Sequence, residues 1–224
     1  MEYKIYDEKS YRIHTIKTDK FKSCSMEIMY RNKLDKDKIT ENNLVTDILI
    51  ESSKKYPKKR ELHLALENLY NAHFRGVTVL LGNSFLLSFT LDFLNPKYCD
   101  EGYLEEVLKF PFEVLQNPNI DENGFDERSI NIRKNNLKSY LESIKESPSR
   151  YAIRQSLLNM DPDSPSSYST SGYLEDLDNI TRQSLVNSYN DILENYTCDI
   201  YVIGNLDMDE VVKIIKKNFK NKSI

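Results

Sequence analysis

Two periodicities alternate along the chain. Across residues 43–57, Leu44, Val45, Ile48 and Leu49 recur at helical spacing and predict a short helix with one buried face. Leu62, Leu66, Leu69 and Tyr70 repeat the pattern over 61–70. The period then falls to two. Residues 73–81 and 84–94 predict a β-hairpin turning at Gly82-Asn83, with Phe85, Leu87, Phe89, Leu91 and Phe93 on one face and Asn95-Pro96 closing it. Upstream, 11–17 and 24–30 predict two strands joined by the polar turn Thr18-Asp19-Lys20. In the second, Met26, Ile28 and Tyr30 alternate with Ser25, Glu27 and Met29, the pattern of a half-buried strand. A charged loop follows over 32–38, and Thr40 is placed to cap the first helix.

Downstream, Tyr103, Leu104, Val107, Leu108 and Leu115 predict a helix over 101–116. Pro111 is expected to bend or break it, because proline removes a donor and clashes with the preceding turn. A long, largely polar helix is predicted over 125–147. Ser147-Pro148 interrupts it, and a helix resumes over 151–160 to stop at Asp161-Pro162. The Ser- and Pro-rich stretch to Gly172 is a surface loop. Thr181 caps a helix reaching Glu194, 198–203 is a short buried strand, and 208–219 is a final helix. No internal repeat is visible. The order ββ-αα-ββ-ααα-α-β-α predicts an α+β fold, with helices packed on one face of a mainly antiparallel sheet.

Composition narrows the function. The chain has 224 residues, 39% hydrophobic and 29% charged, enough for one domain with a sizeable core. Its net charge of −4, with no basic block, argues against nucleic-acid binding. Cys24, Cys99 and Cys198 lie far apart, so no disulfide framework is expected. The first twenty residues are charged without an apolar centre, and no apolar run approaches the ~20 residues that span a membrane. The expectation is a cytoplasmic protein without a membrane span.

Few side chains suggest chemistry. The three histidines and three cysteines are scattered, and the six glycines form no phosphate-binding loop. His63 and Glu67 stand four apart on a predicted helix with His73 close behind. A displaced metal site is one reading of them; a solvated pair plus a strand histidine is the more ordinary one. His14 has no visible partner and is expected to be structural or exposed.

A run of short motifs changes this picture. The first helix is followed by Ser52-Ser53-Lys54-Lys55-Tyr56-Pro57, then by Leu62-x-x-x-Leu66-x-x-Leu69 and Asn71-Ala72-His73-Phe74. Further on come Asn117-Pro118, Phe125-Asp126-Glu127, Pro148-x-Arg150-x-Ala152 and Tyr201-Val202-Ile203-Gly204-Asn205-Leu206-Asp207. None is specific alone; in this order and spacing they resemble the insulinase (pitrilysin-like) zinc peptidases. The resemblance implies an insulinase-family half-unit, the N-terminal one of two homologous domains, with the second expected to lie outside this chain. In that family the first helix carries the inverted zinc motif H-x-x-E-H, and a later glutamate completes the site.

Superposing the Ser52 to Pro57 turn on the family's turn puts the histidine positions on Asn43 and Asp47, and the glutamate on Thr46. The third-ligand position falls at Ser139-Tyr140; a slip of a few residues would bring in Glu142 without restoring a histidine. Asn43 is a poor zinc ligand, Thr46 has no useful basicity, and one carboxylate at Asp47 does not make a site that needs three protein ligands. The resemblance therefore implies a bacterial pseudo-peptidase without catalytic residues, metal or other cofactor. Such a subunit pairs with a catalytic homologue, or with its own copy, and helps to bind peptide along Asn71, Ala72, His73 and Phe74 by strand addition. Two alternatives stand beside this one. The first is an active peptidase with zinc rebuilt on Asp47 or on His63, Glu67 and His73; the second is a structural scaffold subunit.

Overall fold

The computed structural model describes residues 1–220. Its sheet is organised around β3 (Ser23–Lys33), which pairs antiparallel with β5 (Ser84–Leu94) on one side and with β8 (Thr197–Gly204) on the other. β4 (His73–Leu81) extends the sheet beyond β5 as an edge strand, in the predicted hairpin. Gly82 supplies its turn with a φ of +56°. On the other side β8 runs parallel to β2 (Tyr11–Lys17), and β1 (Glu2–Asp7) forms the second edge. The six-stranded order is β1-β2-β8-β3-β5-β4.

The two strands expected on either side of the Thr18 turn are present as β2 and β3, but they are not neighbours, because β8 is inserted between them. Cys198, Ile200 and Val202 are fully buried, as an interior strand requires. The five residues 18–22 readily span the two strand spacings, ~10 Å, that separate its neighbours. β1 was not anticipated at all: five of its six residues are exposed, so it has no apolar face to announce it.

The period-two pattern sets the core. Cys24, Met26, Ile28 and Tyr30 of β3, the five odd-numbered apolar residues of β5, and Ile13 of β2 all face inward. Against them pack α1 (Ile39–Leu49), α2 (Lys59–Asn68), α3 (Tyr103–Gln116) and α7 (Met208–Asn218). Each such side chain contributes about 1.5–3 kcal/mol of burial. Pro111 does not break α3, which runs as one element. The lost hydrogen bond is offset by burying Val107, Leu108, Phe110, Phe112, Val114 and Leu115.

The remaining helices are α4 (Glu127–Glu146), α5 (Pro148–Met160) and α6 (Arg182–Asn195). A two-residue ladder of β6 (Ile120–Asp121) and β7 (Gly124–Phe125) precedes α4, so Phe125 belongs to it and Asp126 caps the helix, accepting from the Ser129 amide at 2.8 Å. Pro148 takes the first position of α5, where its missing N–H costs nothing. Thr181 caps α6 as expected, accepting from the Ser184 amide at 3.0 Å.

His14 is buried at the β1 side of the sheet. Its ring lies between Tyr3 and Tyr201, with Tyr3 Oη 2.7 Å from Nδ1 and an Asp199 oxygen 3.1 Å from Nε2. It has a structural place, and its partners lie on other strands. The three cysteines are free thiols. Among the described residues no helix is long and apolar enough to cross a membrane.

Candidate functional site

α1 presents polar side chains to β4, α4, α6 and the loop 161–176. Asn43, at the first motif position, ties two of them to the helix. Its amide nitrogen donates to its own helix at Ile39 O (3.0 Å) and to Thr170 O in the loop (2.6 Å), and its oxygen accepts from the Thr78 hydroxyl of β4 (2.5 Å). A neutral amide whose oxygen already accepts from Thr78 and whose nitrogen is held by two carbonyls is a poor zinc ligand.

Thr46, at the motif's glutamate position, is fully buried, and its hydroxyl donates to Asn42 O of the same helix at 2.8 Å. β4 passes so close at Gly76 that an added Cβ would come within 2.9 Å of the Thr46 methyl. Asp47, at the second histidine position, faces α4, where Arg133 Nη1 lies 3.8 Å away. Burial raises the Asp47 carboxyl above its ordinary value, with Glu51 one turn on acting the same way and Arg133 opposing. Glu51 takes the closer contacts, from Arg133 Nη2 at 2.5 Å and from Lys59 Nζ at 3.0 Å. Burial pushes its carboxyl up, but the hydrogen bonds from Arg133 and Lys59 win and hold it below the usual carboxylate value.

The third-ligand position does not join this group as a ligand. Tyr140 is exposed on α4, as are Ser139 and Glu142. α1 and α4 are instead bridged by the Arg133 guanidinium between two carboxylates. His63 and Glu67 are exposed on α2 and His73 is exposed on β4. Among the described residues no group of three or more His, Cys, Asp and Glu side chains is placed to hold a metal ion, that set included. The residues at the expected motif positions do not fit zinc: one is a neutral amide tied to Thr78 and Thr170, one a buried hydroxyl, and one a carboxylate facing Arg133.

The loop 161–176 is the feature that sequence reasoning missed. Thr40 was expected to cap α1; it lies inside the helix, which begins at Ile39, and its hydroxyl accepts from the Tyr173 amide at 3.0 Å while donating to Asp176. Gly172 sits directly on it with a φ of +94°, and an added Cβ would meet the Thr40 backbone at 2.7 Å. The short Ser/Pro/Gly composition marked a loop, but its docking partner lies some 130 residues away and leaves no local signal.

The segment Asn71 to Phe74 leads into the β4 edge. Tyr70 and Asn71 both take positive φ, 57° and 58°, so the chain leaves α2 through a left-handed bend. Ala72 and Phe74 are buried, Phe74 between Phe89 and Phe110, whereas Asn71 and His73 are exposed. β4 closes the sheet order, so its outer backbone edge has no strand partner among the described residues.

A helix-backed sheet of this order, with α1 packed between α4 and an edge strand, has the fold of an insulinase-like half-unit, and the sequence lacks the inverted zinc motif H-x-x-E-H. The chain is similar to the probable inactive metalloprotease YmfF of Bacillus subtilis (strain 168), with 26% identity over 211 residues, covering 93% of this chain and 50% of that protein. It thus spans about half the length of the curated relative it matches. Among solved structures, a conserved protein from Enterococcus faecalis V583 aligns with a TM-score of 0.87 and 28% identity over 95% of this chain and 51% of that one. A peptidase M16 inactive domain from Pseudomonas fluorescens aligns with a TM-score of 0.76 over 97% of this chain and 50% of that one; at 14% identity it speaks to the fold alone. No family model matches the chain.

Proposed function

We propose that this chain is the non-catalytic partner in an insulinase-type peptidase pair, binding extended peptide along the β4 edge while a homologous unit supplies the hydrolysis. The observation that carries the reading is the state of the motif face. Asn43, Thr46 and Asp47 are the residues expected where the family places two ligands and a base; Asn43 is bonded to Thr78 and Thr170, Thr46 to Asn42, and Asp47 faces Arg133. Peptide-bond hydrolysis by zinc-bound water needs ligands and a base that these residues do not provide. The scaffold that would present a peptide persists: an edge strand entered through Asn71, Ala72, His73 and Phe74, held rigid by the Phe74, Phe89 and Phe110 cluster. Main-chain hydrogen bonds along such an edge supply affinity without a catalytic group. Pairing with a second unit is consistent with a match that covers half of the relative.

The test is peptide binding by the purified chain, followed by fluorescence anisotropy. An extended peptide is expected to bind without being cleaved, and the same peptide N-methylated at alternate residues on its edge-facing side should bind at least about tenfold more weakly, a loss of ~1.4 kcal/mol. Equal binding of the two, or binding of neither, would remove the edge from the account.

A further inference from the structure

α5 stands apart from the other described α-helices: none of its thirteen residues is buried. One of its faces is nevertheless used. Tyr151 and Leu158 turn toward α4 and line a cleft of about 250 Å3 with Leu141, Ile144 and Tyr173. The other face carries Ile153, Leu157 and Met160, spaced i, i+4 and i+7, with Ile153 and Met160 exposed and Leu157 half-buried. Ile153 is 63% exposed and Met160 82%. An isolated helix of this length is marginal in water, and an apolar stripe gains stability only when something covers it.

The charges select what covers it. α5 contains Arg150 and Arg154 and no carboxylate. Arg154 turns inward to Ser167 O and the Tyr173 ring, whereas Arg150 is exposed three residues before Ile153, beside the stripe. Across α4 and α5 seven basic side chains stand against three acidic ones, in a chain whose net charge is −4. Of the basic ones Arg128, Lys138, Lys145 and Arg150 are exposed and form no ion pair among the described residues. Two α5 helices packed on each other would bring Arg150 from both copies to one interface with no α5 carboxylate to neutralise them, which disfavours self-association through the stripe. A membrane-surface helix ordinarily adds Trp or Phe to its apolar face, and this stripe has neither.

We propose that the outer face of α5 docks an acidic amphipathic helix of a partner protein, one whose leucine-like stripe is flanked by carboxylates. The apolar stripe supplies the helix-in-groove contact, and Arg150 beside it, on a helix without a carboxylate, orients and selects the partner. The inference is independent of the peptide-edge reading, since α5 and β4 share no residue and the two sites are tested with different probes.

Two synthetic helical peptides with leucines at i, i+4 and i+7, one flanked by glutamates and one by lysines, are titrated into the whole chain. The glutamate-flanked peptide is expected to bind in the micromolar range, and the lysine-flanked one at least tenfold more weakly. Ile153→Ser with Met160→Ser should abolish binding, and Arg150→Glu should weaken it several-fold, with circular dichroism unchanged because all three side chains are exposed. Equal binding of both peptides, binding of neither, or binding that survives the double serine variant would overturn the proposal. So would phosphatidylserine vesicles outcompeting the peptide, or sedimentation showing self-association that Ile153→Ser removes.

Discussion

Asn43 shows how far a single residue can turn a site to another use. Its identity, and its place where a ligand is expected, are legible in the sequence. Its task is not, because Thr78 and Thr170 lie 35 and 127 positions away. Asn43→Ala removes the tie between α1, β4 and the loop, and is expected to cost about 1–2 kcal/mol in urea denaturation at neutral pH. Gly172→Ala should cost at least as much. Its φ of +94° disfavours any side chain, and the new methyl would press on the Thr40 backbone. A change within about 0.3 kcal/mol of zero for either variant would show that the loop is not held to α1 in this way.

At the scale of elements, local periodicity was readable and non-local pairing was not. The β4–β5 hairpin announces itself through five alternating apolar residues and a Gly-Asn turn, and its bounds agree with the structure. β8 reads as a buried strand, but nothing in its own residues says that it separates β2 from β3. β1 hides because an exposed edge carries charges where a core strand carries apolar residues.

The contact between α1 and α4 likewise rests on Glu51, Lys59 and Arg133 from three different helices or turns. Glu51 titrates below its ordinary value of 4.5 in the folded chain, so its contribution is fully present above the unfolded value and fades as pH falls through the lower folded one. Glu51→Gln is therefore expected to destabilise by about 1–3 kcal/mol at pH 7, with the difference shrinking in acid below pH 4.5. Denaturation curves at pH 7 and in acid that show the same difference would contradict the ion-pair account. In the core beneath, Phe89→Ala should cost about 3–5 kcal/mol, since Phe89 is buried between Tyr30 and Phe74.

For the whole molecule, the motif series from Ser52 to Asp207 pointed to the fold before any single residue pointed to a function. The sheet, its hairpin and the backing helices are stabilised by burial of apolar side chains rather than by groups at the expected motif positions. The central claim is that the motif face of α1 no longer builds a zinc site. Elemental analysis of the chain, purified without chelators or a histidine tag, tests it most directly. Zinc far below one equivalent per chain is expected, unchanged by Asn43→Ala or Asp47→Ala. Zinc near one equivalent, lost in either variant and accompanied by peptide hydrolysis, would contradict it.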